Sequence, residues 1–265
     1  MKQVLLELLP PRAYLQLKHM QFKRNYPQQF RHMQDLRRTE TEQGYSYRPF
    51  DETKSIFVHI PKCAGVSVCR AIYGGLAGGH ETFNNYLNIF EPRCILNYFK
   101  FTIVRNPWDR LVSAYFFLKN GGFNNRDREW FNQELGNVPN FDQFVKQWLN
   151  RTNIWKWHHF RPQYHYVLDR RQKVSLDFVD LVENIDADFT YIAGRVGTAG
   201  VLPRTNASRH GSYVNYYTQE TIDIVTDVYR EDIEIFGYNF DNSSVPQQLA
   251  SRGSGRRYLL KSNCP

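Results

Sequence analysis

Two hydrophobic patterns alternate along the chain. In the first, a few consecutive positions are almost all apolar: "SIFVHI" (55–60), "YFKFTIV" (98–104) and "FVDLV" (178–182). Runs this short, rich in β-branched and aromatic residues, predict strands covered on both sides. In the second, apolar residues recur every three or four positions. "VSVCRAIY" (66–73) predicts a helix closed by Gly74 and Gly75. The run after Asn106 and Pro107 predicts another, ended by Gly121 and Gly122. Asn is a good N-cap, Pro suits the first helical position, and Gly accepts the left-handed geometry just past a helix end.

Farther on, "FDQFVKQWLN" (141–150) places Phe141, Phe144, Val145, Trp148 and Leu149 on one helical face. "DADFTYIAGRVG" (186–197) reads as the helix after the third strand. Residues 217–238 carry a single stripe of Ile222, Val225, Tyr229, Ile233 and Phe236, with Thr218 as cap and Gly237 as stop. The polar stretch 123–140 reads as a loop or short helices. Strands followed by helices point to an α/β fold with a central parallel sheet flanked by helices. Ligands in such sheets bind at the carboxyl ends of the strands.

The expected organisation is a basic N-terminal flank of one or two helices and a linker (1–53), one catalytic-sized domain (54–240), and a C-terminal tail, flexible in part (241–265). Apolar residues make up 42% of the 265 and aromatics 15%, which supports a real core and excludes global disorder. Lys and Arg outnumber Asp and Glu by 34 to 26, for a net charge of +8. That balance suits an anionic ligand, a polyanion or a membrane surface without choosing among them.

The four cysteines form no CxxC pair, which speaks against a zinc or redox motif. The N-terminal apolar run is broken by Glu7 and ended by Pro10 and Pro11, too short to span a bilayer. The expectation is a soluble, cytoplasmic chain with no transmembrane segment, in which peripheral membrane contact stays open. Removal of an anchor would make it membrane-associated or Golgi-lumenal.

The chemistry lies at two strand ends. After the first strand comes "PKCAGVSV": Lys62 brings a full charge, Gly65 lets backbone approach an anion, Ser67 offers a hydroxyl, and the next helix presents unpaired N–H groups. An ATP-binding P-loop would place its lysine at the end of the loop as GxxxxGK[ST], and none is present here. After the second strand, Arg105 and Ser113 make a second anion site beside a helix N-terminus, with pairing of Arg105 to Asp109 as the purely structural alternative.

"FVHIPKCAGVSV" and "FKFTIVRNPWDRLVSAYFF" together resemble the two nucleotide-binding signatures of the sulfotransferases. The similarity is greatest to the carbohydrate branch that holds the chondroitin, dermatan and heparan 2-O-sulfotransferases and their bacterial relatives. "HFRPQ" (159–163), "DFVDLVENIDADF" (177–189), "LPRTNAS" (202–208) and residues 217–240 agree with it. The resemblance implies a P-loop-like, three-layer α/β fold and the donor 3′-phosphoadenosine 5′-phosphosulfate. It implies that Lys62, Cys63, Ala64, Gly65, Val66, Ser67 and Val68 cradle the 5′-phosphosulfate. Arg105 and Ser113 would hold the 3′-phosphate, and Arg209 would close over the nucleotide.

The family reaction is in-line transfer of a sulfuryl group to an acceptor hydroxyl, here of a carbohydrate. Lys62 would stabilise charge on the departing oxygen. The hydroxyl needs a base, and His80 in "GGHETF" occupies the region where the family carries one, with Glu81 as second choice. His59, inside a strand, reads as a core residue. His158, His159 and His165 stand near one another, but no carboxylate or cysteine completes a set at familiar spacing, so no metal is expected. Trp155, Trp157, His158, His159 and Arg161, with His80, are the candidate acceptor-binding residues. The same aromatics and cations are equally read as packed core.

Two other readings stay open. A P-loop kinase-like phosphotransferase would need the magnesium ligand that the missing GK[ST] removes. A non-catalytic module for glycans or polyanions would bind in a salt-dependent manner without turnover. No dedicated nucleic-acid-binding motif is visible, and no nucleic-acid partner is expected.

Overall fold

The structure is a computed structural model and describes residues 9–41, 44–169, 173–199, 201–202 and 211–251. Its centre is a sheet of three parallel strands in the order β2-β4-β5: β2 (Ser55–Val58), β4 (Phe99–Val104) and β5 (Phe178–Leu181). Val58 sits opposite Thr102, and Val104 opposite Leu181. Every residue of the three strands is buried, so helices cover both faces. This is the mixed α/β arrangement expected from the sequence, with each strand within two residues of its expected end.

A two-residue parallel pair, β1 (Tyr45–Ser46) with β3 (Leu76–Ala77), was not expected. It is too short to leave a period-two pattern. Its effect is local: it fixes the turn at Gly78 and Gly79 that delivers His80.

The helices before the sheet are α1 (Pro11–Asn25), α2 (Pro27–Asp35) and α3 (Arg48–Thr53). Residues 45–53 reach the core, where Tyr47 and fully buried Phe50 meet Tyr86 and Phe90 edge-on or tilted. Helix α4 (Gly65–Tyr73) follows β2 and is closed by Gly74 at φ 74°. Helices α5 (Phe83–Ile89) and α6 (Pro92–Asn97) lead into β4. Helix α7 (Pro107–Lys119) leaves β4 with the Asn106 side chain accepting from the Trp108 N–H, as a cap should.

Where a loop or short helices were expected, residues 125–135 form α8 (Asn125–Leu135), three turns long. Only Asp127, Phe131 and Leu135 are buried, so its apolar stripe is one residue wide and hard to read. Residues 141–148 are helical, as α9 (Phe141–Gln143) running into a π-helical turn, Phe144–Trp148. A short α10 (Tyr164–Val167) precedes β5, and α11 (Ile185–Val196) follows it.

The single stripe over 217–238 resolves into α12 (Gln219–Val228) and α13 (Arg230–Phe236), broken at Tyr229. The break aims two residues at one segment. The Tyr229 hydroxyl donates to Phe160 O at 2.7 Å, and Asp232 accepts from the N–H groups of Gln163 and Tyr164, both at 2.7 Å. Helix α14 (Val245–Ser251) lies in the expected tail. Among the described residues, no helix is long and apolar enough to cross a membrane.

Candidate active site

The chain leaves β2 through His59, Ile60 and Pro61 and then turns twice with left-handed backbone, at Lys62 (φ 68°) and Ala64 (φ 58°). Neither is glycine, and such geometry costs on the order of 1–3 kcal/mol at each residue. What it achieves is a tight entry to α4, whose N-terminus carries no side-chain cap. The first turn of α4 thus keeps its N–H groups without a side-chain cap, and the positive end of the helix lies at this loop, as an anion requires. Gly65 is explained by packing more than by the anion. A Cβ there would lie 1.9 Å from Cδ2 of the His59 ring, which is buried against the loop.

Lys62 holds its ammonium 3.8 Å from the centre of the Phe117 ring. Burial, reinforced by the nearby Arg105 charge, brings its pKa down to about 8. It is still mostly protonated at neutral pH, but poorly compensated, which suits a group waiting for an anion.

Arg105 emerges from β4, the strand next to β2. Its Nε and Nη2 grip Asp109 at 2.7 and 2.9 Å, and its Nη1 donates to Lys62 O at 3.2 Å. The pairing with Asp109 that the sequence left open is thus real, and the same guanidinium reaches the lysine loop. Ser113 is buried one turn beyond Asp109 on the same side of α7, and Arg105 reaches Asp109 from just before the helix.

Four buried side chains that the sequence reading passed over hold this arrangement. Arg110, 2% exposed, donates to Pro61 O at 3.0 Å, His159 O at 3.2 Å and Arg161 O at 2.8 Å. Gln163 accepts from Arg105 N at 2.9 Å, donates to Arg105 O at 2.8 Å, and receives the Cys63 thiol at 3.3 Å. Asp232 fixes Gln163 from behind, and its burial raises its pKa to about 6. Asp127 accepts from Trp157 Nε1 at 3.1 Å and Phe123 N at 2.8 Å. "HFRPQ" signalled Gln163 only as part of a similar segment, and Arg110, just before the run "LVSAYFF", reads as one more charge at a helix start.

His80 follows β3 and donates from Nδ1 to His59 O at 3.1 Å. That tautomer leaves Nε2 as an acceptor. Burial pulls its pKa down to about 4, so the ring is neutral at ordinary pH. His158 and His159 lie beside it, with ring centres 5.4 and 6.1 Å from its own. Phe117, under the Lys62 ammonium, is also 5.0 Å from the His159 ring. The lysine and the histidines therefore border one place.

The remaining expected residues separate. Val68 is fully buried in α4 and bonds back to Ala64 O at 3.2 Å, so its N–H is taken. Trp157 is buried, stacked on Trp130 at 4.9 Å, with its N–H on Asp127, which leaves it no ring face for a sugar. Trp155 is exposed and meets His165 edge-on at 5.0 Å. Arg161 gives its carbonyl to Arg110. Arg209 lies outside the described residues. Beside His80 runs a cleft lined by Tyr45, Ser46, Tyr47, Gly79 and Glu81.

A parallel sheet with an uncapped helix after one strand, and an arginine from the neighbouring strand tied to the same loop, is an α/β arrangement whose strand ends suit an anionic ligand. The chain belongs to the sulfotransferase family, whose model matches residues 45–239. It is similar to carbohydrate sulfotransferase 14 of Danio rerio, with 25% identity over 232 residues that cover 74% of this chain and 62% of that protein. The chain thus spans less than two thirds of that relative's length. No solved structure matches it significantly.

Proposed function

We propose that the protein transfers a sulfuryl group from 3′-phosphoadenosine 5′-phosphosulfate to a hydroxyl of a carbohydrate acceptor. The observation that carries this reading is the join between the two strand-end loops, Arg105 Nη1 to Lys62 O, in a chain of the sulfotransferase family. A donor with phosphate groups at two ends needs two anion sites at a fixed separation, and this bond fixes one loop relative to the other.

The residues fit that donor. The two left-handed residues and the uncapped helix form a cradle for the 5′ group, and Gly65 has no room for a side chain. The donor supplies a sulfuryl group already bonded to a good leaving oxygen. Lys62, half-buried and short of compensating charge, neutralises charge as it gathers on that oxygen. The N–H groups of Gly65, Val66 and Ser67 orient the anion, with Cys63 and Ala64 shaping the turn. Arg105 and Ser113 receive the 3′-phosphate, Asp109 keeping the arginine fork in plane.

His80 accepts the acceptor's proton at Nε2, while its Nδ1–H stays on His59 O. The cleft beside it supports entry of the acceptor there, with Tyr45 as a ring for a sugar face and Glu81 for its hydroxyls. The relative's name supports a carbohydrate acceptor. The test is donor-dependent labelling of a panel of glycans, with mass spectrometry of the product. Incorporation of sulfate into a glycan supports the proposal. Labelling of no glycan, with sulfate passing to a non-carbohydrate hydroxyl, overturns the acceptor class.

A further inference from the structure

Spacing along the chain grouped His158 with His159 and His165. The fold groups them differently. His165 turns to Trp155, and His80 arrives from β3 to take its place. One ring nitrogen from each of His80, His158 and His159 lies within 4.8 Å of the others.

Two features make this more than a chance cluster. The His80 ring is already oriented through its other nitrogen, which donates to His59 O at 3.1 Å. A ligand histidine is usually held in this way. Finally, His159 is 5% exposed and its Nδ1 has no hydrogen-bond partner, although Asp127 Oδ1 stands 3.9 Å away. An unpaired buried ring nitrogen is costly. A small rotation of His159 would bring Nδ1–H onto Asp127 and turn Nε2 to the cluster, giving a carboxylate–histidine–metal arrangement.

We propose that His80, His158 and His159 form an exchangeable site for one divalent transition cation of zinc-like preference, with its fourth position open. Zinc holds imidazole nitrogens at about 2.0–2.1 Å in a tetrahedron, which sets them about 3.4 Å apart, so the rings draw in on binding. Nitrogen donors disfavour magnesium and calcium. Lys62, Arg110, Arg126 and Arg161 are the cations around the cluster and oppose the ion, while Asp127 favours it. That balance makes the site exchangeable rather than permanently filled. An ion here takes the Nε2 lone pair of His80 and so silences transfer. This consequence rests on His80 being the base; the binding does not.

The test uses the full chain, free of any tag and stripped with chelator, titrated with Zn²⁺ by calorimetry and with Co²⁺ by visible absorption. Expected are one bound equivalent and the intense cobalt bands of a four-coordinate nitrogen site. Affinity should fall at least about tenfold in each of His80→Gln, His158→Gln and His159→Gln, with folding checked by thermal melting. No stoichiometric binding overturns the site, as does binding undiminished in all three variants. Should a variant not fold, the cobalt spectrum of the unaltered chain decides, and weak six-coordinate bands overturn the site. Stoichiometric zinc with transfer unimpaired upholds the site and overturns His80 as base. Absent zinc binding with His80-dependent transfer overturns the site and leaves the base standing.

Discussion

Arg105 donates from Nη1 to the backbone carbonyl of Lys62 at 3.2 Å, while its other two nitrogens hold Asp109. One planar side chain thereby sets the distance between the ends of β2 and β4. Lysine carries the same charge but cannot make the fork. Arg105→Lys is expected to weaken binding of 3′-phosphoadenosine 5′-phosphate by about 10- to 100-fold, the worth of one or two charged hydrogen bonds. Calorimetry checks this; unchanged affinity would leave Arg105 with a structural role only.

His59 and Gly65 occupy each other's space. Gly65→Ala puts a Cβ 1.9 Å from the His59 ring and should cost about 1–3 kcal/mol of stability along with donor affinity. His59→Ala opens that space, so the double variant should regain part of both. A thermal and calorimetric double-mutant cycle measures the coupling. Additive losses would mean that the glycine serves something other than His59.

His80→Gln removes the proton acceptor while a side-chain amide remains to reach the His59 carbonyl. The turnover rate should fall about 10²- to 10⁴-fold, with donor-product affinity nearly unchanged. Pre-steady-state rates on bound donor separate the two. Collapse of affinity with the rate on bound donor intact would make His80 structural.

The two strand-end loops could be read in the sequence because each is a short apolar run, a charged turn and a helix start in immediate succession. Lys62, Gly65, Arg105 and His80 stand out there as residue types in positions. Arg110, Gln163, Asp127 and Asp232 do not. Their work is done on backbone groups, about fifty or more positions away for Arg110, Gln163 and Asp232, and such pairings leave no local pattern. The helix 125–135 was hidden by its polarity. The division at Tyr229 was hidden because its stripe keeps helical spacing across the break. His80 was legible as a base candidate but not as a neighbour of His158 and His159, since the β1–β3 pair and its bond to His59 O, neither of which leaves a local pattern, bring it there.

Lys62 also makes donor binding depend on pH. In the unfolded chain its ammonium titrates at the ordinary 10.5, and in the folded chain at about 8. Between these values the unfolded chain binds more protons, so this group's contribution to stability rises with pH. Donor affinity runs the other way. It should be flat below about pH 8 and fall by up to about tenfold per unit above it. The bound anion raises the lysine pKa in the complex, so the onset stays near pH 8 and the fall levels off only above that higher value. Calorimetry with donor product from pH 6.5 to 9.5 checks it, and Lys62→Ala should remove the break.

The most direct measurement is transfer of labelled sulfuryl from 3′-phosphoadenosine 5′-phosphosulfate by Lys62→Ala, with melting temperature as the check on folding. Loss of one preorganised donor to a developing charge costs about 10²–10³ in rate. A folded Lys62→Ala protein is therefore expected to transfer at least that much more slowly than the unaltered chain. A folded variant that turns over at a near-normal rate would contradict the role of the strand-end lysine and the mechanism built on it.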